Sequence, residues 1–170
     1  MASRRLAETT VKLIEAHIKA NIAGALAEVR TDRADAAVTT EVPKSYFKYE
    51  LAEGYRAPAI FTICDSIQSR NVEKQANFIA GMATVRVSVI VEDRLKESLV
   101  IKSWRYQAAL HKLLHLVDLI SADSKVKIVS KVEEILFSPE FTDTKDPSAP
   151  QSVFRKEVLL LLNVEHYENL

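Results

Sequence analysis

The chain has few of the residues that small-molecule sites are usually built from. It contains one cysteine, Cys64. No intramolecular disulfide can form, and a reducing compartment is compatible with that. It contains three glycines, Gly24, Gly54 and Gly81. They are too dispersed for a loop that cradles a phosphate. No Gly-x-Ser-x-Gly elbow occurs, so a hydrolase nucleophile of that kind is excluded. Charge of one sign is also missing, since 23 Lys and Arg balance 23 Asp and Glu. A formal charge of zero leaves no electrostatic footprint for duplex nucleic acid or an anionic membrane surface. No apolar run approaches the roughly 20 residues of a transmembrane helix. Residues Met1 to Arg5 are charged with no apolar region after them, so a secretory signal is not expected. No internal repeat is visible.

What is present is enough apolar side chain for a core, 48% of the residues. At 170 residues one domain spanning 1–170 is expected, not a disordered chain. Gly81 to Val117 organises it. Ala83, Val85, Val87, Val89 and Val91 alternate with Thr84, Arg86, Ser88 and Glu92, the period of a half-buried strand rich in β-branched residues. Ile90 is the one apolar residue on the polar face. Helical spacing follows, with Leu99, Tyr106, Leu110, Leu113 and Val117 near one stripe, and Asp93 stands where an N-cap belongs.

Before this scaffold, Ile14, Ile18, Ile22, Ala25 and Val29 predict a helix over residues 4–30. Residues 38–58 read as an extended arm with one short strand. The arm holds Tyr46, Phe47 and Tyr49 among lysines. Such aromatics can stack on nucleic-acid bases, but zero net charge favours packing against the core or a neighbouring subunit. Ala59 to Asp65 predicts a strand, and 66–77 its connection to the central strand. After the helix, Ser121 to Lys125 predicts a turn. Val126 to Phe137 fits both periods and is assigned as a strand from its flanking turn and prolines. Residues 138–151 contain Pro139, Pro147 and Pro150 and predict a mobile loop. Val153 to Tyr167 predicts a last strand. Val158, Leu160, Leu162 and Val164 share its core face, while Leu159 and Leu161 make the other face apolar as well, as for a central strand or one covered at an interface. The order implies an α+β fold: an antiparallel or mixed sheet of about four strands, with two helices on one face.

Candidate chemistry is thin. His111 and His115 lie four apart on the second helix and could share a metal. However, Lys112 stands where a zincin carries its general base, no third ligand is visible, and histidines late in a helix suit its negative end. Glu133 and Glu134 are adjacent on a strand and point to opposite faces, poor geometry for an acid–base pair. Cys64 reads as a small buried hydrophobe. Trp104 reads as a core-edge or interface aromatic. No catalytic, cofactor or metal residue is therefore expected, and the chain is not expected to be an enzyme.

One resemblance extends over nearly the whole chain. A strand pair ends in Val85 to Asp93, a helix carries Trp104 to Leu110, a proline-rich loop follows, and Val153 to Glu165 closes the chain. This arrangement resembles the tail-terminator (tail-completion) and neck proteins of long-tailed bacteriophages. The resemblance implies a virion structural subunit, assembled in the host cytoplasm into a homo-oligomeric ring, usually a hexamer. Such a ring caps the tail tube, ends its polymerisation and meets the head–tail connector proteins. DNA passes through it without specific binding, and no membrane or cofactor is involved. The residues Pro43 to Tyr55 match nothing general in that family and would also suit another neck or head-completion adaptor. The expected contacts are Tyr46, Phe47, Tyr49, Leu159 and Leu161. An unfamiliar α+β enzyme using His111, His115 or Cys64 is the competing reading.

Overall fold

The structure is a computed structural model that describes residues 3–33, 38–48, 55–70, 78–139, 141–142 and 153–169. Its elements follow as α1 (Ser3–Arg33), β1 (Ser45–Phe47), β2 (Ala59–Arg70), β3 (Phe78–Asp93), α2 (Lys96–Leu114), β4 (Val117–Ile120), β5 (Val126–Phe137), β6 (Phe141–Thr142) and β7 (Phe154–Asn169). Six strands form one sheet in the order β1-β2-β3-β7-β5-β4, and β6 pairs with β7 beyond the end of β5. Every pairing is antiparallel except that of β1 with β2. The fold is α+β with a mixed sheet.

The two longest strands make the centre. β3 and β7 pair from Phe78 with Asn169 to Asp93 with Phe154. Their alternation places Val85, Val87 and Val89 beside Leu162, Leu160 and Val158, all fully buried. Both helices cover this face. Ile14, Ile18 and Ile22 of α1 and Leu99, Tyr106, Leu110 and Leu114 of α2 join these residues in one cluster. Removing each such side chain from water contributes about 1.5–3 kcal/mol, which is why the strand and helix periods in the sequence meet on one surface.

The sheet is wider than the expected four strands, because the two outermost strands are short and carry weak signals. β4 was expected to be helix, since Val117 continues the stripe of α2. Instead α2 ends at Leu114, His115 is extended, and Leu116 takes a left-handed φ of 57°. No glycine or proline marks that reversal in the sequence. The pairing of β4 with β5 holds it against a left-handed cost of about 1–2 kcal/mol. Asp93 is not the N-cap of α2; that position is Leu95. The Asp93 carboxylate instead accepts from the Leu95 amide at 2.9 Å and pairs with Lys102 Nζ at 2.7 Å. β2 runs to Arg70, past the expected end at Asp65, because its exposed residues Ser66 and Gln68 need no apolar alternation to pair with β3. β5 and the turn before it stand where expected.

Candidate functional site

The β1 edge and the helix-free face of the sheet carry Tyr46, Phe47, Leu159 and Leu161, four of the residues expected to make contacts. Pairing places Phe47, Phe61, Ser88, Leu159 and Leu136 in one row across five strands. The next row on that face holds Ile63, Arg86, Leu161 and Glu134. Leu159 and Leu161 are half-buried, as befits a strand flanked on both sides, and Leu136 is 43% exposed. Leu161 also borders a shallow cavity of about 320 Å³ with Thr84, Asn163, Gln68 and Glu134. An apolar strip therefore crosses a face that neither helix covers. Charged pairs flank it, Arg86 with Asp65 at 3.0 Å and Arg155 with Glu92 at 3.3 Å.

Tyr46 and Phe47 separate onto opposite faces of the sheet, as adjacent strand residues must. The Phe47 ring stacks on Phe61 with centroids 5.2 Å apart, and Tyr55 meets Phe61 edge-on at 5.6 Å. Tyr46 turns to the helix side and packs against the core. Lys19 Nζ lies 4.9 Å from its ring centroid. Burial, then the charge of Glu15, pushes its phenol pKa up. Glu15 in turn holds Lys19 and, at 3.6 Å, Lys48. Tyr49 lies outside the described residues, as do 49–54 of the arm and 140 and 143–152 of the loop expected to be mobile.

Sequence reasoning missed what holds the arm. Arg105, buried on α2, donates to the Val38 carbonyl. The Tyr106 hydroxyl donates to the Glu41 carbonyl, and burial pushes its pKa well above the ordinary tyrosine value. Tyr106 was legible as a stripe residue, but the polar tip that fastens residues 38–41 was not. The same Tyr106 borders a cavity of about 350 Å³ with Glu41, Pro58, Glu92, Asp93 and Lys102. Burial works to raise the Asp93 pKa there, and Lys102 and the Leu95 amide outweigh it and hold the group below its usual value.

The candidate chemical groups do not converge. The His111 and His115 rings stack 4.7 Å apart, and burial, then His115, pushes the His111 pKa down. Among the described residues no group of three or more His, Cys, Asp or Glu could hold a metal ion. Glu133 is the extra residue of a bulge in β5 and pairs with Lys131 at 2.9 Å, so both glutamates are exposed. Cys64 packs against the core, its thiol donating to the Ser66 carbonyl at 3.5 Å, and burial raises its pKa, away from a reactive thiolate. Trp104 is 52% exposed on α2 and borders a cavity of about 200 Å³ with Arg33, Ile101 and Arg105. No helix among the described residues is long and apolar enough to cross a membrane.

One buried titratable residue had no sequence signal. His166 is 0% exposed, and neither ring nitrogen has a hydrogen-bond partner among the described residues. It faces Gly81 across the ladder, where a Cβ would stand 2.5 Å from His166 Nε2. Burial pushes its pKa down.

No family model matches the chain. No curated protein matches it. Among solved structures, it is similar to a chain of one described as the virion of a native gene transfer agent particle. The identity is 17%, the match covers 85% of this chain and 97% of that one, and the TM-score is 0.34. That likeness is too weak to place the chain in a family.

Proposed function

We propose that this chain is a virion structural protein. Its copies form a ring at the head–tail neck that caps the tail tube, ends its growth and joins it to the head connector. The observation that carries the assembly reading is the sheet's pair of unlike open edges. β1 covers β2 only at residues 59–61, and β4 covers β5 only at residues 127–130. Thr62–Arg70 on one side and Lys131–Phe137 on the other pair with no further strand among the described residues. Open backbone donors and acceptors template association with another chain. Unlike edges on opposite sides make that association head to tail, and a head-to-tail contact closes into a ring when its rotation allows.

The station of the ring comes from the sequence resemblance, which rests on the arrangement of the elements and on the segments Glu92 to Leu110 and Phe154 to Val164. The partly exposed Leu136, Leu159 and Leu161 on the helix-free face suit a lasting contact with another virion protein. Balanced charge suits a collar that DNA traverses without being gripped. No catalytic step is part of this reading. The test is a particle-producing strain lacking this gene. Overlong tails, or tails not joined to heads, are expected. Tails of normal length joined to heads would overturn the terminator role.

A further inference from the structure

We propose that a second copy of this chain occupies both sheet edges through a stepped joint. β1 of one copy lies along the open part of the next copy's β5, while that copy's β4 lies along the open part of β2. The proposal rests on the ring reading and supplies its contact.

The register of the sheet carries it. The row through Val89 contains Tyr46, Ile60, Val89, Val158 and Phe137, so it begins at β1 and ends at β5. The row through Ala83 contains Ile67, Ala83, Val164, Ser130 and Val117, so it begins at β2 and ends at β4. Each is five strands wide, and the second is displaced from the first by one strand. Among the described residues one edge therefore has a notch below β1, and the other has a notch above β4. Copies set side by side fill each other's notches, with β4 and β1 end to end in one column. The bulges at Cys64/Ser66 and Val132/Glu134 fall in the rows between those two strands and interrupt neither contact.

Strand direction agrees. β5 opposes β2 through β7 and β3, and β1 runs parallel to β2. For copies rotated about an axis along the strands, β1 then meets the next β5 antiparallel, the more stable ladder, and β4 meets β2 parallel, as β1 does within the chain. Side chains agree as well. Leu136 and Phe137 are 43% and 41% exposed at the open end of β5. Row for row, Leu136 meets Phe47 on the helix-free face and Phe137 meets Tyr46 on the helix side. Aromatic and aliphatic cross-strand pairs of this kind stabilise a ladder. In the other half of the joint, Val117 meets Ile67, and both are half-buried in the single chain.

Cross-linking tests the joint. In a Cys64→Ala background, Phe47→Cys and Leu136→Cys are placed in one chain, the protein is oxidised as assembled, and it is run on a non-reducing gel. Directly opposed residues have Cα atoms about 4.5–5.5 Å apart, within reach of a disulfide. A ladder ending at a closed multiple is expected. No ladder is expected for Phe47→Cys with Ile120→Cys, which the joint keeps in rows as far apart as Ser88 and Ala80 on β3. A Val117→Cys, Ile67→Cys chain tests the other half should the first pair disturb folding. Oligomers by mass photometry without these cross-links, or with equal cross-linking in the control, would overturn the joint and leave the ring standing. A monomer at every concentration would overturn both.

Discussion

Gly81 and His166 form a contact on which local stability depends. A side chain at position 81 would meet His166 Nε2 at 2.5 Å and the Gln68 carbonyl oxygen at 2.6 Å. The carbonyl belongs to the paired β2 backbone and cannot move aside, so Gly81→Ala is expected to cost about 1–3 kcal/mol, read from urea unfolding midpoints. His166 gives the molecule a pH dependence. Burial lowers its pKa, so the folded chain binds that proton more weakly than the unfolded chain. As pH falls through the ordinary histidine value of about 6.5, the unfolded chain takes up a proton that the folded one refuses, and stability falls. The slope contributed by one such group is at most about 1.4 kcal/mol per pH unit. Urea midpoints measured from neutral pH downward are expected to fall less steeply for His166→Leu than for the parent. His111 is shifted the same way and keeps part of the slope in that variant. An unchanged slope would remove His166 from this role.

At the scale of the element, the arm depends on α2 more than on its own aromatics. Residues 38–48 contribute a single short strand, and its pairing with β2 is confined to Ser45–Phe47. Arg105 and Tyr106 hold the part of the arm before it. Tyr106→Phe keeps the ring in the core and removes only the hydroxyl, leaving the Glu41 carbonyl without that donor. It is expected to cost about 0.5–1.5 kcal/mol. The informative readout is hydrogen exchange, with protection lost in residues 38–47 and kept in β3 and β7. Loss spread evenly over the sheet would mean that the arm and the sheet open as one unit.

For the whole molecule, the two edges predict how association proceeds. Because the edges are unlike, each added copy leaves one of each open until the chain of subunits closes. Mass photometry across a concentration series is expected to show monomer and one closed species, with little between them. A broad series of lengths would indicate a contact whose rotation does not close.

Period and composition determined much of this protein. The alternation of Val85, Val87, Val89 and Val91, the four-residue steps of Ile14, Ile18 and Ile22, and the two-sided apolar run Leu159–Leu162 each name an element and its buried face, because burial of apolar surface dominates the energy of long elements. The end of α2, the presence of β4, and the helix-side position of Tyr46 were decided only in three dimensions. Short edge elements bury too little surface to impose a pattern on the sequence. What holds Leu116 in a left-handed conformation is the neighbouring β5, and what fastens the arm is a pair of polar tips on a helix more than fifty residues away along the chain. The step between the sheet's two edges is the furthest from the sequence, since it is a property of register between six strands, and no single strand records it.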